Sequence, residues 1–337
     1  MKSENLYIGL FSAFVLGMSI TLGCAAERVD PFEQVKRMGR GVNIIGYDPI
    51  WNDFSKARFK DKHFTLIREG GFQTVRINLH AFAHMDTADG CRLSDSFLST
   101  LDWAVKRATK AGLMVILDLH NFIEMAKDPT GGVPKMTAFW KQIAPRYQDA
   151  PSSVVFEILN EPNGGLTPAL WNRAFNDALA VIRGTNPDRT VIVGPAFWNT
   201  IDHLDELELP EGDRNLIVTV HYYLPMEFTH QGAPWSPGTV HLSGVTWGTD
   251  AEKRKVEEDF GRGQKWSKTH NRPILLGEFG AYDKGPMDSR VRYTAHVART
   301  AESLGWAWTY WQFDSDFIVY DIDHDRWVEP IRKALIP

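Results

Sequence analysis

The chain has 337 residues, of which 43% are hydrophobic and 23% charged, and its formal net charge is −5 at pH 7. This composition supports a large core and excludes global disorder, while the length suits one large α/β barrel or two ordinary domains. The mild acidity lacks the basic footprint of a nucleic-acid binder, so we expect no nucleic-acid partner. The twelve Trp residues stand out, because aromatic side chains commonly line ligand pockets.

Residues 1–26 have the pattern of an export signal. An apolar run from Leu6 to Leu22 follows a basic residue and is followed by small residues, with cleavage predicted near Ala25 or Ala26. In the alternative interpretation, Cys24 is a lipid-attachment site. We therefore expect a protein exported from a bacterial cell, either secreted, periplasmic or lipid-anchored to the outer membrane or cell surface. Cys91 would then lack a disulfide partner.

Residues 27–337 are predicted to form one domain in which short apolar runs alternate with helix-like segments. The predicted strands are Gly41–Ile45, Thr74–Asn78, Met114–Asp118, Val154–Leu159, Thr190–Val193, Leu216–Tyr222, Ile274–Glu278 and Ala307–Trp311. The predicted helices are Asp61–Glu69, Asp95–Lys110, Thr137–Gln148, Pro168–Gly184, Ile201–Glu208, Asp250–His270, Ser289–Leu304 and Glu329–Leu335. Eight such alternations indicate an α/β fold of the (β/α)₈ TIM-barrel type. A doubly wound open sheet is the alternative, but it would not place function at so many strand ends.

Polar residues end most of the apolar runs, at the edge where TIM barrels carry their active sites. The fourth run ends in Asn160-Glu161-Pro162 and the seventh in Glu278-Phe279-Gly280. Two carboxyl groups facing one groove are what a retaining glycosidase needs, because one must donate a proton while the other attacks the sugar. The other strand-end candidates are Arg76, Asn78, His120, Asn121, His221, Tyr223 and Trp311.

Taken together, these motifs resemble glycoside hydrolase family 5, the large cellulase family of (β/α)₈ glycosidases. The resemblance runs from Gly39 to Trp311 and is closest to a bacterial endoglucanase subfamily in which some members also cleave mannan. It is carried by Phe156–Pro162, by His221-Tyr222-Tyr223 with Phe228–Ala233, and by Gly277–Tyr282.

The resemblance implies a role for each matching residue. Glu161 matches the acid/base and Glu278 the nucleophile, with Arg76 positioning the nucleophile. The implied substrate-binding residues are Asn43, Arg76, His120, Asn121, Asn160, Trp198, His221, Tyr223, His230, Trp235 and Trp311. Two departures are visible: Asn121 stands where many relatives have a second His, and Ile45–Trp51 differs from the usual first loop.

The implied function is a retaining endo-β-1,4-glucanase acting on cellulose-type glucan as a monomer. A β-mannanase, mixed-linkage glucanase or xyloglucanase of the same family is the alternative. Two alternative hypotheses from other functional classes are a non-catalytic carbohydrate-binding barrel and a phosphate-sugar isomerase. No metal-ligand spacing occurs among the His residues, so we expect neither a metal nor a cofactor.

The two glutamates must differ in protonation for this chemistry. We expect Glu278 to stay ionised beside Arg76, and Glu161 to have a raised pKa because of the nearby like charge and a partly apolar pocket. A retaining mechanism predicts a carboxyl separation of roughly 5–5.5 Å.

Overall fold

A computed structural model describes residues 28–337, so the predicted signal segment and Cys24 lie outside the described residues. Eight parallel strands close into a barrel in the described part of the chain. They are β1 (Arg40–Ile44), β2 (Thr74–Leu79), β3 (Met114–Leu119), β4 (Val154–Glu157), β5 (Val191–Val193), β6 (Leu216–Tyr222), β7 (Ile274–Phe279) and β8 (Ala307–Tyr310). Each strand pairs with its neighbours in sequence, and β8 returns to β1. The predicted TIM barrel is confirmed, with strand ends shifted by one or two residues at most.

Helices surround the barrel. The longer ones are Pro31–Met38, Asp61–Glu69, Asp95–Lys110, Pro129–Arg146, Pro168–Arg183, Asp250–His270, Met287–Ser303 and Glu329–Leu335. Shorter helices are Phe122–Lys127, Ala196–Asn199 and Met226–Thr229, and Ile201–Glu206 is a 3₁₀ helix, as are Pro49–Trp51, Phe54–Lys56, Ala81–His84 and Thr87–Asp89. Within residues 28–337, the helices fall short of the length and apolarity that a membrane crossing requires.

One predicted helix boundary was wrong. The helix predicted from Thr137 begins at Pro129, because Pro fits the first helical position and the Asp128 carboxylate accepts a hydrogen bond from the Gly131 backbone N–H. The helix Pro31–Met38 was not predicted at all, and its Val35 and Met38 pack against the buried residues at the start of the barrel strands.

The barrel interior changes character along its axis. Apolar side chains such as Ile116, Val155 and Leu275 fill the end where the strands begin. Toward the carboxyl ends, the buried side chains are polar or charged, including Arg76 and Glu157, which have no exposed surface. Burying charge costs free energy unless it is paired, so this polar layer must be a connected network. It lies directly beneath the edge where the strand-end residues meet.

Candidate active site

A cleft with a volume of about 1080 Å³ opens at the carboxyl ends of the strands. Most of the predicted site residues line it. They are His120, Asn160, Glu161, Trp198, His221, Tyr223, His230, Trp235, Glu278 and Trp311.

Glu161 and Glu278 face each other across His221. Nδ1 of His221 lies 2.8 Å from a Glu161 carboxylate oxygen and 3.6 Å from one of Glu278. The closest of these ring and carboxylate atoms all lie within 4.8 Å of one another, and no other group of three or more acids, His or Cys in residues 28–337 is close enough to share a metal ion. The two carboxyl groups therefore face the same space in the cleft.

The backbone at Glu161 is strained. Its φ is 40°, in the left-handed region that a residue with a Cβ enters at a cost. The Asn163 side-chain amide donates to the Glu161 carbonyl oxygen at 2.7 Å and so helps to hold this turn. The turn directs Glu161 into the cleft immediately after β4 ends.

Arg76 binds the nucleophile candidate from below. Its guanidinium donates at 2.7 Å to Glu278 and at 2.7 and 2.8 Å to the two carboxylate oxygens of Glu157. It also donates to the side-chain oxygens of Asn43 and Asn160, at 2.9 and 2.8 Å. Tyr223 donates to the other Glu278 oxygen at 2.9 Å, so Glu278 is held at both oxygens.

A second buried acid orients His120. Nδ1 of His120 lies 2.6 Å from the Asp118 carboxylate, which also accepts a hydrogen bond from Asn78. The His120 ring lies parallel to Trp311, with the ring centroids 5.5 Å apart. Asp118 thus fixes a cleft residue without lining the cleft itself.

The carboxyl groups have strongly raised pKa values. Burial raises the pKa of Glu161 to about 8; the Arg76 charge opposes this, and the negative charges of Asp118 and Glu157 add to it. Burial also raises the pKa of Glu278 to about 7, where His221 and Arg76 act against burial and Glu161 acts with it. Glu161 therefore keeps its proton to higher pH than Glu278. The pKa of Glu278 is higher than expected because burial outweighs the nearby cation.

Two predicted substrate-binding residues lie beneath the cleft. Asn43 is completely buried and its side-chain amide donates to three backbone carbonyls of β7 and β8. Asn121 is also completely buried; its side chain accepts from the Phe82 backbone and donates to Glu124. Neither side chain lines the cleft, so these two assignments are corrected to supporting roles. Arg76 is likewise inaccessible and acts through Glu278.

Two of the three predicted cleft tryptophans present large exposed faces. Trp198 and Trp235 are each 49% exposed. Trp198 lies within a run of three left-handed residues, Phe197 to Asn199, which turns its ring outward. The Trp235 ring packs edge-on against Tyr282, at a centroid distance of 5.0 Å. Exposed indole faces in a cleft suit stacking on sugars.

Sequence reasoning missed Glu157 and Tyr47. Glu157 follows Val154-Val155-Phe156 in a strand that is buried throughout, and a lone charge in such a strand requires a buried partner. The sequence therefore indicated a buried, paired role for Glu157. Tyr47 lies in the loop after β1 and lines the cleft, but no periodicity indicates where a loop side chain points.

Comparison with known proteins agrees with this geometry. The profile of the cellulase family, glycosyl hydrolase family 5, matches residues 35–316. Endoglucanase H of Acetivibrio thermocellus is 30% identical over 320 residues, which cover 92% of this chain. The chain spans 34% of that protein and 53% of Endoglucanase 3 of Fibrobacter succinogenes, about a third to about half of these relatives.

The same family is found among solved structures. Thermotoga maritima Cel5A in complex with mannotriose is 40% identical and superposes with a TM-score of 0.87, covering 91% of this chain and 100% of that one. The complex of the same enzyme with cellobiose matches with the same identity, coverage and TM-score. These matches confirm the resemblance identified from the strand-end motifs.

Substituting Glu161→Gln tests the electrostatic cost of this site. The pKa of Glu161 is raised from 4.5 to about 8 in the folded protein. The protonated Glu161 side chain therefore stabilises the fold fully below pH 4.5, its pKa in the unfolded chain, and this stabilisation is lost as the pH rises through about 8. The Gln side chain does not ionise, so the variant does not lose stability at this site as the pH rises. We expect its free energy of unfolding to exceed that of the wild type by about 2–4 kcal/mol near pH 9 and by much less near pH 5.

Urea unfolding at both pH values measures this difference. Glu208→Gln, at an exposed site, is the matched control and should show no pH-dependent gain. A Glu161→Gln variant with equal gains at the two pH values would contradict the raised pKa.

Proposed function

The chain belongs to glycosyl hydrolase family 5, the cellulase family, and we propose that it is a retaining endo-β-1,4-glucanase that works by double displacement. The observation that carries this proposal is the arrangement of Glu161 and Glu278, whose nearest oxygens lie within 4.8 Å of each other. Retaining enzymes need a short separation of roughly 5–5.5 Å, whereas inverting enzymes leave room for a water at roughly 6.5–9.5 Å.

In the first step, Glu278 attacks the anomeric carbon while Glu161 protonates the leaving oxygen. The bond from carbon to the leaving sugar breaks as the bond to the Glu278 carboxylate forms. Tyr223 and Arg76 each bind one oxygen of Glu278 and hold it for in-line attack. The raised pKa of Glu161 keeps the required proton available.

In the second step, Glu161 accepts a proton from water, and that water displaces Glu278 from the sugar. Two inversions at one carbon retain its configuration. His221, 2.8 Å from Glu161, holds the carboxyl group in place through both proton transfers.

One buried donor supports sugar binding at the reacting centre. Nδ2 of Asn160 is buried, lacks a hydrogen-bond partner in the described part of the chain, and belongs to a residue that lines the cleft. An unpaired buried donor costs free energy, and a sugar hydroxyl would satisfy it. This is consistent with the substrate-binding role that the family resemblance implies for Asn160, and we take the hydroxyl to be the 2-hydroxyl of the sugar.

Unbranched β-1,4-glucan is the proposed substrate, since the relatives from Acetivibrio thermocellus and Fibrobacter succinogenes are named endoglucanases. Mannan is the second candidate, because a 40% identical structure is described in complex with mannotriose. The two sugars differ at the 2-hydroxyl, so Asn160 and His120 lie where the distinction would be made. We also propose that the enzyme is exported, with or without a lipid at Cys24, because a polymeric substrate lies outside the cell. We propose that it acts as a monomer.

Removing each carboxyl group separately should identify its role. Glu161→Ala should lower kcat on polysaccharide by about 10²–10⁴, but an activated aryl cellobioside needs little acid catalysis and should still react. Added azide should then restore turnover and yield the β-glycosyl azide. Glu278→Ala with azide should yield the α-azide, because only one inversion occurs.

Proton NMR of the products distinguishes the two azides. Glu208→Ala serves as the control, with unchanged hydrolysis. The same anomer from both variants, or undiminished hydrolysis in either, would remove the proposed division of labour.

The pH profile should follow the coupled pair. The active form has Glu278 ionised and Glu161 protonated, so kcat/KM on soluble glucan should fall below about pH 7 and above about pH 8. Glu157→Gln removes a negative charge that raises the pKa of Glu161, so its alkaline limb should move to lower pH. Rates measured across both limbs for the wild type and the variant test this. An alkaline limb that stays in place or moves upward would be inconsistent with this electrostatic coupling.

A further inference from the structure

The loop after β1 presents one exposed aromatic ring to the cleft. Tyr47 is 59% exposed and lines the cleft together with Trp311. The two ring planes are nearly perpendicular, at 86°, with centroids 6.3 Å apart. If Trp311 is the floor beneath a sugar, Tyr47 is therefore a side wall at the edge of that floor.

This wall is held firmly by its loop. Ile45, a β-branched residue, has a φ of 54°, a conformation that such a side chain adopts only when its surroundings impose it. Nε1 of Trp51 donates to the Ile45 carbonyl at 2.6 Å. The Asp48 carboxylate accepts hydrogen bonds from the backbone N–H groups of Ile50 and Phe59, at 2.9 and 2.8 Å. Tyr47 thus lies between two fixed points of the backbone.

A second, small cavity adjoins the main cleft at Tyr47. It has a volume of about 60 Å³, and Tyr47 lines both this cavity and the main cleft. Asp48, Arg58, Gln312 and Asp314 contribute to its lining. Nε2 of Gln312 is buried and has no hydrogen-bond partner in residues 28–337. Apolar residues, among them Ile45 and Phe313, line it as well.

We propose that Tyr47 is a specificity-determining residue that confines the sugar on Trp311 and excludes chains branched at that sugar. The inference rests on the proposed glucanase function and names its preferred substrate class, unbranched β-1,4-glucan. Under this proposal the wall leaves room for a hydroxymethyl group on the sugar above Trp311 but not for a glycosyl substituent at the same position. Removing the ring widens the cleft at this edge and makes room for the branch.

Tyr47→Ala and Tyr47→Phe separate the ring from its hydroxyl. The readout is the ratio of kcat/KM on branched xyloglucan oligosaccharides to kcat/KM on unbranched cellohexaose. We expect Tyr47→Ala to raise this ratio about tenfold, the range that shape complementarity in a pocket commonly provides. Tyr47→Phe keeps the wall and should leave the ratio within about twofold. Tyr47→Trp enlarges the wall and should lower it.

Phe54→Ala is the matched control, since Phe54 is a 51% exposed aromatic in the next turn that does not line the cleft. An unchanged ratio in a folded Tyr47→Ala variant overturns the inference, as does an equal rise in Tyr47→Phe, which would assign the effect to the hydroxyl. Wild-type protein inactive on every β-1,4-glucan would instead show that the proposed function itself has failed. Circular dichroism of each variant checks that it is folded.

Discussion

The structure of the cleft depends on one buried cation, Arg76. Its guanidinium has no exposed surface and contacts the carboxylates of Glu157, Glu278 and Asp118. Charges buried in a barrel are tolerated only when they are paired and hydrogen-bonded. A single positive charge cannot neutralise these three acids and Glu161 as well. The remaining negative charge, together with burial, raises the pKa values of the carboxyl groups above it. The polar layer of the barrel therefore both supports the two cleft glutamates and sets their protonation.

The two glutamates differ because their contacts differ. Glu278 receives hydrogen bonds from Arg76 and Tyr223, which favour its charged form. Glu161 has His221 as its side-chain partner and emerges from a strained turn. Backbone strain of this kind persists only where the surrounding structure imposes it, and it often coincides with function. Carrying a raised-pKa acid at such a position lowers stability, in keeping with the trade-off between stability and activity that many enzymes show.

The sequence was sufficient for the barrel and for the pair of carboxyl groups, because both follow from repeating patterns. Strands covered on both faces are short apolar runs, and their carboxyl ends share one edge. The start of the helix at Pro129 escaped prediction because Gly131, Gly132 and Pro134 are typical of loops, and packing overrode their propensity. The positions of Asn121 and Tyr47 depend on how the chain leaves a strand. A short helix begins directly after Asn121. Before Tyr47, Ile45 adopts a left-handed conformation that its residue type does not favour.

Trapping the covalent intermediate tests the central claim most directly. A 2-deoxy-2-fluoro cellobioside with an activated leaving group slows both steps, because fluorine destabilises the positively charged transition state, while the leaving group keeps the first step possible. Mass spectrometry of the digested enzyme should then find one 2-deoxy-2-fluorocellobiosyl adduct per chain, on the peptide containing Glu278. An adduct on Glu161 or on any other residue, or steady turnover of the reagent without an adduct, would contradict the account.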